Sequence, residues 1–172
     1  MTIADADVKD WVGKTLDAGP GDVVVEQGLI QHWCEATENG NPLFWDDEVA
    51  EDLTGGPIAP PTMLSVWMRP LMWKPGPDDD SIRPLELHFQ LKDAFDLPEG
   101  VVANNELEFH APVRPGDLIS TKQSVREISE VKETRLGTGR FWTIDVTYTN
   151  QRGETVGVES YAMFSYRREN SP

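Results

Sequence analysis

Residues able to take part in chemistry are concentrated between positions 36 and 46, where the sequence reads ATENGNPLFWD. Asn39 and Asn41 carry amides, which bind a substrate through hydrogen bonds but do not exchange protons near neutral pH. The carboxylates of Glu38 and Asp46 flank these amides and could act as a general acid or base. The stretch therefore offers polar contacts to a ligand and, near its two ends, a means of proton transfer.

The other reactive side chains are scattered along the chain. His88 and His110 are possible acids or bases, but we interpret both as ordinary residues of half-exposed strands. Cys34 lies among apolar residues, with His32 on a different helical face, which favours an inert core thiol. One cysteine excludes an intrachain disulfide, and the spacing of the histidines matches no metal site. We therefore predict neither a metal nor a resident cofactor.

The composition narrows the class of protein. A chain of 172 residues with 38% hydrophobic residues is expected to form one domain, residues 1–172, with a frayed polar tail over 167–172. The net charge of −15 argues against nucleic acid and anionic membranes as partners. No apolar leader and no apolar run of about 20 residues is visible, so we expect a cytoplasmic protein.

Helical patterns and turns dominate the first half of the chain. Residues 27–37 place Ile30, Trp33 and Cys34 on one helical face. The sequence NGNP that follows stops this helix, because Gly and Asn tolerate left-handed turns and Pro cannot continue a helix. Asp46 then resembles the N-cap of a short helix that ends at a Gly-Gly-Pro sequence.

The most informative segment follows Pro60 and Pro61. Residues 62–73 are apolar on almost every face, although Pro70 should end or kink the element. A helix of this kind must be buried on all sides, and it is too short to span a bilayer. A sheet that wraps around the helix would bury it in this way.

The second half predicts that sheet through alternating apolar residues, with turns at 114–117 and 150–153 and a weaker strand over 118–128. The apolar phases of its three clearest strands are Val101, Ala103, Leu107, Phe109, Ala111 and Val113; Trp142, Ile144, Val146 and Tyr148; and Val156, Val158, Ala162, Phe164 and Tyr166. The sequence therefore predicts an α+β fold, in which a curved antiparallel sheet wraps around a central apolar helix.

Four stretches of the chain resemble one known family. Residues 36–46 resemble the hydratase motif Ser/Thr-Gly-Asp-x-Asn-Pro-x-His-x-Asp of MaoC-like and R-specific enoyl-CoA hydratases. Residues 56–62 (GPIAPPT) resemble the start of that family's central helix in its N-terminal-dehydratase variant. Residues 113–117 (VRPGD) resemble the turn before a core strand, and 154–167 the final strand. The resemblance implies a single hot-dog fold over nearly the whole chain.

The family hydrates a trans-2-enoyl thioester, or reverses that reaction, with the Asp and His of its motif. Carried over to this sequence, the Asp position is Asn39 and the His position is Phe44. A carboxamide is no general base and a phenyl ring carries no proton, and each loss costs about 10²–10⁴-fold in rate. The resemblance therefore implies a chain without the family's catalytic residues, while Asn41, Pro42 and Asp46 are also explained by turn formation and capping.

Some members of the family are heteromers in which a degenerate half makes room for a bulky acyl chain. The resemblance then implies the non-catalytic subunit of an enoyl-CoA hydratase or 3-hydroxyacyl thioester dehydratase, paired with a catalytic MaoC-like partner. Its ligand would be a CoA or acyl-carrier thioester with a long-chain or steroid acyl group. Because CoA is anionic, it would require a basic patch or a basic partner. The expected substrate contacts are Asn39, Asn41, Phe44, Trp45, Pro60, Pro61 and Thr62.

Two alternatives stay open at this point. The chain could be a homodimeric acyl-thioester binding protein without turnover, because hot-dog domains pair through their sheets. It could also be a stand-alone hydratase that uses Glu38, Asp46 or His88 in place of the family residues.

Overall fold

A computed structural model describes residues 7–71, 73, 75–76 and 84–168 of the chain. The acidic run at 78–80, which the sequence assigns to a solvated loop, lies outside the described residues, and so do 169–172 of the predicted tail. Three α-helices, six strands and three short 3₁₀ helices are described. The α-helices are α1 (Gln27–Ala36), α2 (Asp47–Thr54) and α3 (Glu86–Ala94). The strands are β1 (Thr15–Pro20), β2 (Glu99–Phe109), β3 (Ser120–Ile128), β4 (Lys132–Thr134), β5 (Gly137–Thr149) and β6 (Thr155–Arg167).

The strands form one antiparallel sheet in the order β1-β3-β5-β6-β2, with β4 paired to β5. The alternation predicted for β5 is confirmed, because Trp142, Ile144, Val146 and Tyr148 are all at most 1% exposed. These side chains face the helices and define the inner face of the sheet, since they share the apolar core with residues of α1 and α3. The α+β plan predicted from the sequence is confirmed.

The central apolar element differs from the predicted helix over 62–73. A 3₁₀ helix spans Pro61–Val66 and buries Met63 and Leu64, and Trp67 follows it into the core. Leu71 and Trp73, by contrast, are 52% and 79% exposed. Pro70 accounts for the early end, because it lacks an N–H and its ring clashes with the preceding helical turn.

The helix α3 supplies the second part of the centre. Its Leu87 and Leu91 are fully buried and pack with Trp142 and Ile144 of the sheet. The sequence around His88 was interpreted as a half-exposed strand, which is wrong: His88 lies in α3 and is 6% exposed. The short run of apolar residues around His88 is compatible with a strand or with a helix. In the structure it forms a helix that packs on the inner face of the sheet.

The apolar core is divided into two clusters along the sheet. One contains the 3₁₀ helix Pro61–Val66, the buried face of α1, the last part of β5 and the first part of β6. The other contains α3 and the opposite ends of the same strands. Gly157 allows the first cluster to close, because a Cβ atom there would lie 2.5 Å from Leu64 Cδ2. Tyr161 packs against both clusters.

The strand β2 lies at one end of the sheet and, within the part of the chain that the structure describes, pairs only with β6. Its predicted buried phase is wrong, because residues 100–109 are all exposed. A bulge between Val102 and Asn104 also interrupts the alternation, so that Val101 and Leu107 lie on opposite faces. The inner face of β2 carries Val102 and Leu107, and among the described residues nothing buries them.

The strand β6 also departs from its predicted phase. Ala162 and Phe164 pair with outward-facing residues of β5, whereas Tyr161 and Met163 pair with Ile144 and Trp142 on the inner face. Phe164 and Tyr166 of this outer face are nevertheless buried, and they stack in a row with the exposed Phe141, with ring centroids 4.5 and 5.2 Å apart. Arg167 is the last residue of β6, so the strand includes the first residue of the predicted frayed tail.

Candidate functional site

The loop between α1 and α2 is held by its own amide side chains. The Asn39 carboxamide oxygen accepts a hydrogen bond from the Asn41 backbone N–H at 3.1 Å. The Asn41 oxygen in turn accepts one from the Leu43 N–H at 3.1 Å and caps the 3₁₀ helix Pro42–Phe44. Both amides therefore shape the turn, as such residues do in many loops.

Two further residues fix the end of this loop. The Trp45 indole N–H donates to the Asn39 carbonyl oxygen at 2.8 Å, while the ring stays 47% exposed. Asp46 accepts hydrogen bonds from the N–H groups of Glu48 and Val49 at 2.9 and 3.2 Å. The predicted N-cap of α2 is confirmed, and the Asp46 carboxylate is already occupied with capping.

Phe44 points into the protein. Its side chain is 7% exposed and belongs to the same apolar cluster as Ile58, Ala59 and Met63. Neither Asn39 nor Phe44 can accept and return a proton, so the two positions that the sequence resemblance matched to a catalytic pair carry a turn-forming amide and a core ring.

A cavity of about 130 Å³ lies beside the 3₁₀ helix of the central element. Pro60 and Pro61 line one wall, and Phe109 and His110 line the other. The remaining lining is apolar and comes from Ile58, Ala59, Leu64, Ala111, Pro112, Val113 and Val156. Of the predicted substrate contacts, Pro60 and Pro61 meet in this cavity, whereas Thr62 is exposed outside it and Asn39, Asn41 and Trp45 lie on the loop.

The turn at 114–117 holds the two walls of this cavity together. Ala59 donates its N–H to the Val113 carbonyl at 2.8 Å. The Arg114 guanidinium donates to the carbonyls of Thr54, Gly56 and Pro57, which closes the end of α2. The sequence predicted a turn here but gave no sign that its arginine would anchor the segment before Pro60.

Asp117 is the centre of the same turn. Its side chain is 2% exposed, and it accepts hydrogen bonds from the Arg114 N–H and from the Arg152 guanidinium at 2.9 and 2.7 Å. Gln151 adds a third donor at 3.1 Å from the hairpin between β5 and β6. These partners outweigh the effect of burial and lower the pKa of Asp117.

The residues considered for an independent catalytic site do not converge. Glu38 is exposed on the loop with a φ of 51°, and Asp46 caps α2. His88 lies beside the other core cluster, where the Trp142 indole N–H donates to His88 Nδ1 at 3.1 Å. His110 follows β2, half exposed, with its Nε2 atom 3.7 Å from a Glu108 carboxylate oxygen.

Burial lowers the pKa of His88 to about 4, and the nearby Lys92 ammonium adds to the shift. An imidazole with this pKa is neutral at physiological pH and binds protons too weakly to act as a general base there. Among residues 7–71, 73, 75–76 and 84–168, no three or more His, Cys, Asp or Glu side chains gather into a possible metal site. In the same part of the chain no helix has the length and apolar character needed to cross a membrane.

The buried neutral His88 predicts a specific pH dependence of stability. Between pH 6.5 and 4 the unfolded chain binds a proton that the folded chain does not, so acid favours unfolding. We expect this residue to remove about 3 kcal/mol of unfolding free energy over that range. The measurement is urea unfolding as a function of pH for the wild type and for His88→Asn, whose amide oxygen can still accept from Trp142. Equal pH slopes for the two proteins would contradict the assignment.

Comparison with solved structures defines the class of protein. The chain aligns with the crystal structure of the ChsH1-ChsH2 complex from Mycobacterium tuberculosis with a TM-score of 0.73 and 26% identity, covering 92% of this chain and 86% of that one. A MaoC-like dehydratase from Rhodospirillum rubrum aligns with a TM-score of 0.60 and 20% identity, over 94% and 97% of the two chains. The chain is thus an α+β hot-dog domain, as the sequence predicted.

Sequence comparison identifies the family. The family described as "FAS1-like, dehydratase domain region" matches residues 10–158. The "Probable enoyl-CoA hydratase alpha subunit" of Thermomonospora curvata is 36% identical over 91% of this chain and 50% of its own length. The "3-oxo-4,17-pregnadiene-20-carboxyl-CoA hydratase alpha subunit" of Mycobacterium tuberculosis is 31% identical over 97% and 54%. The chain belongs to the MaoC-like hydratase/dehydratase family, and it spans about half the length of these curated relatives.

Proposed function

We propose that this chain is the non-catalytic subunit of a heteromeric enoyl-CoA hydratase or 3-hydroxyacyl thioester dehydratase. In this assembly a MaoC-like partner with an intact Asp and His performs the proton transfers. This chain shapes the pocket for the acyl group. The observation that carries the proposal is the replacement of the catalytic pair by Asn39, which shapes the loop, and by Phe44, which is buried in the core.

One edge of β2 pairs with no other described strand, and this open edge supports a partner subunit. This strand presents backbone donors and acceptors along eleven residues, together with the exposed side chains of Val102, Leu107 and Phe109. A second sheet edge can pair with such a strand through backbone hydrogen bonds. Solved relatives include two assemblies, the ChsH1-ChsH2 complex and the HadBC complex of Mycobacterium tuberculosis, of which the second is 18% identical and shows the fold alone.

The charge of β2 favours a different chain over a second copy as that partner. The strand carries Glu99, Glu106 and Glu108 and no lysine or arginine. Pairing the β2 strands of two copies would bring six glutamates together, three from each copy, and like charges on neighbouring strands repel. A partner with basic residues at its edge avoids this repulsion. It would also supply the positive charge that an anionic CoA ligand needs beside a chain of net charge −15.

The interrupted central helix supports a bulky acyl group. The 3₁₀ helix stops at Val66 and α3 begins at Glu86, so the described part of the centre is not one continuous helix. The inner face of β2 is exposed and mostly apolar, with Val102, Leu107 and Phe109 on it, and Phe109 also lines the cavity. An apolar groove of this kind suits a long or polycyclic acyl chain. A relative named as acting on a pregnadiene carboxyl-CoA is consistent with such a substrate.

Co-expression with a MaoC-like chain that carries the intact Asp-x-Asn-Pro-x-His motif tests the proposal. We expect the two chains to copurify and to hydrate a trans-2-enoyl-CoA, whereas the isolated chain shows no hydration above background. The double variant Glu106→Lys/Glu108→Lys should weaken copurification, because it removes negative charge from the β2 edge. The matched control Glu133→Lys, in the short strand β4, should not.

Other outcomes would favour the alternatives. A complex no more active than the partner alone, with no copurification, would refute the heteromer. Homodimers that bind acyl-CoA in calorimetry without turnover would indicate a binding protein. Hydration by the isolated chain, abolished by substitution of Glu38, Asp46 or His88, would indicate a stand-alone enzyme.

A further inference from the structure

One buried carboxylate on the inner face of the sheet is not explained by the hydratase motif. Glu159 of β6 pairs with Val146 of β5 in the apolar core, and it is 4% exposed. A carboxylate at such a position costs several kcal/mol to desolvate, and an aliphatic residue of similar volume usually stabilises a core at least as well. The position therefore needs either full compensation by donors or a function.

Donors from the two neighbouring strands, β5 and β2, bond to this carboxylate. The Tyr148 hydroxyl donates to Glu159 Oε2 at 2.8 Å, and the Asn105 side-chain amide donates to Oε1 at 3.1 Å. Tyr161 lies on the same inner face of β6, two residues beyond Glu159, and burial together with the nearby carboxylate raises the pKa of Tyr161. The positive charge of Arg69 is close enough to influence both tyrosines.

The two sides of this group differ in access. Tyr148 is fully buried beneath it, in the core around the 3₁₀ helix. Asn105 of β2 is exposed, and its pairing partner Tyr161 of β6 is half buried; both lie on the inner face of the sheet, next to the exposed Leu107. A ligand that lies along this apolar face would therefore meet one polar point, formed by Glu159, Tyr161 and Asn105.

We propose that Glu159, Tyr161 and Asn105 recognise a hydroxyl group on the acyl part of the thioester. This inference rests on the proposed function and names the substrate class of the same groove. The ligand hydroxyl donates to the carboxylate, which has about four acceptor positions, and accepts from Tyr161 or Asn105. A plain hydrocarbon chain would leave these groups without an added partner, so the groove distinguishes hydroxylated from unsubstituted acyl chains.

The test is calorimetry on the purified chain, in the assembly in which it purifies, with long-chain acyl-CoA thioesters that differ only in the position of one hydroxyl. We expect one position to bind about 10-fold more tightly than the unsubstituted thioester, as a hydrogen bond to a charged group allows. Tyr161→Phe should abolish this preference. Tyr148→Phe removes a hydroxyl from the same carboxylate on its inaccessible side, and should retain the preference.

Each result has a distinct meaning. If unsubstituted thioesters bind and no hydroxyl position improves binding, the inference fails while the proposed function stands. If both tyrosine variants lose the preference equally, the carboxylate group is structural and the inference also fails. If none of the thioesters binds at all, acyl binding by the proposed function fails first. Thermal unfolding of both variants checks that each one is folded.

Discussion

In the proposed heteromer, alanine in place of the motif histidine of the catalytic chain should lower the hydration rate by about 10²–10⁴-fold, the contribution of one general acid or base. The double variant Glu38→Gln/Asp46→Asn of this chain should leave the rate within about threefold, far below the loss of a general base. Glu38 is exposed on its loop, and Asn can replace Asp46 as a helix cap. The measurement is kcat for a trans-2-enoyl-CoA with each purified complex.

This experiment tests whether Glu38 or Asp46 takes part in the proton transfers that we assign to the proposed partner. Unfolding curves of the double variant serve as the control, because they detect a loss of loop structure independently of catalysis. A fall in kcat of a hundredfold or so in a folded double variant is the size expected for loss of a general base. That outcome would indicate that this chain supplies a general base itself, and it would contradict the proposed non-catalytic role.

The variant Asp117→Ala should lower the free energy of unfolding by about 3 kcal/mol, a typical cost of breaking a buried charged hydrogen-bond network. The side chain is 2% exposed and bonds to Arg114, Gln151 and Arg152, so its loss disconnects the turn from the hairpin between β5 and β6. Urea unfolding measures the change.

Glu154→Ala provides a matched comparison for Asp117→Ala. Its carboxylate also bonds to Arg152, but it is about half exposed, and exposed ion pairs contribute little to stability. Its substitution should therefore have a much smaller effect than that of Asp117. Equal losses for the two variants would show that the turn does not depend on the buried carboxylate.

The sequence was sufficient where local chemistry decides the structure. Asp46 caps α2 because its side chain reaches the N–H groups two and three residues ahead. Buried and less buried residues alternate along β5 because this strand lies between β3 and β6 and has one face covered by the helices. Pro60 and Pro61 correctly marked the start of a central element, since Pro is compatible with a first helical turn.

The sequence was insufficient where long-range packing decides. The exposure of β2 depends on its place at the edge of the sheet, which no local pattern encodes. In β6 the apolar row at Phe164 and Tyr166 faces outward because it stacks on Phe141, whereas the inner face accepts Glu159 because donors from other strands reach it. His88 was placed in a strand because short apolar runs fit either element.

The open strand β2 also has a consequence for how the chain is handled in a cell. An eleven-residue edge with exposed valine, leucine and phenylalanine is a template for unwanted strand addition, and its three glutamates are the kind of gatekeeper that slows aggregation. A chain synthesised in excess of the proposed partner would keep this edge uncovered and be exposed to proteolysis and misassembly. We therefore expect the abundance of the two subunits to be matched, with orphan copies cleared by quality control.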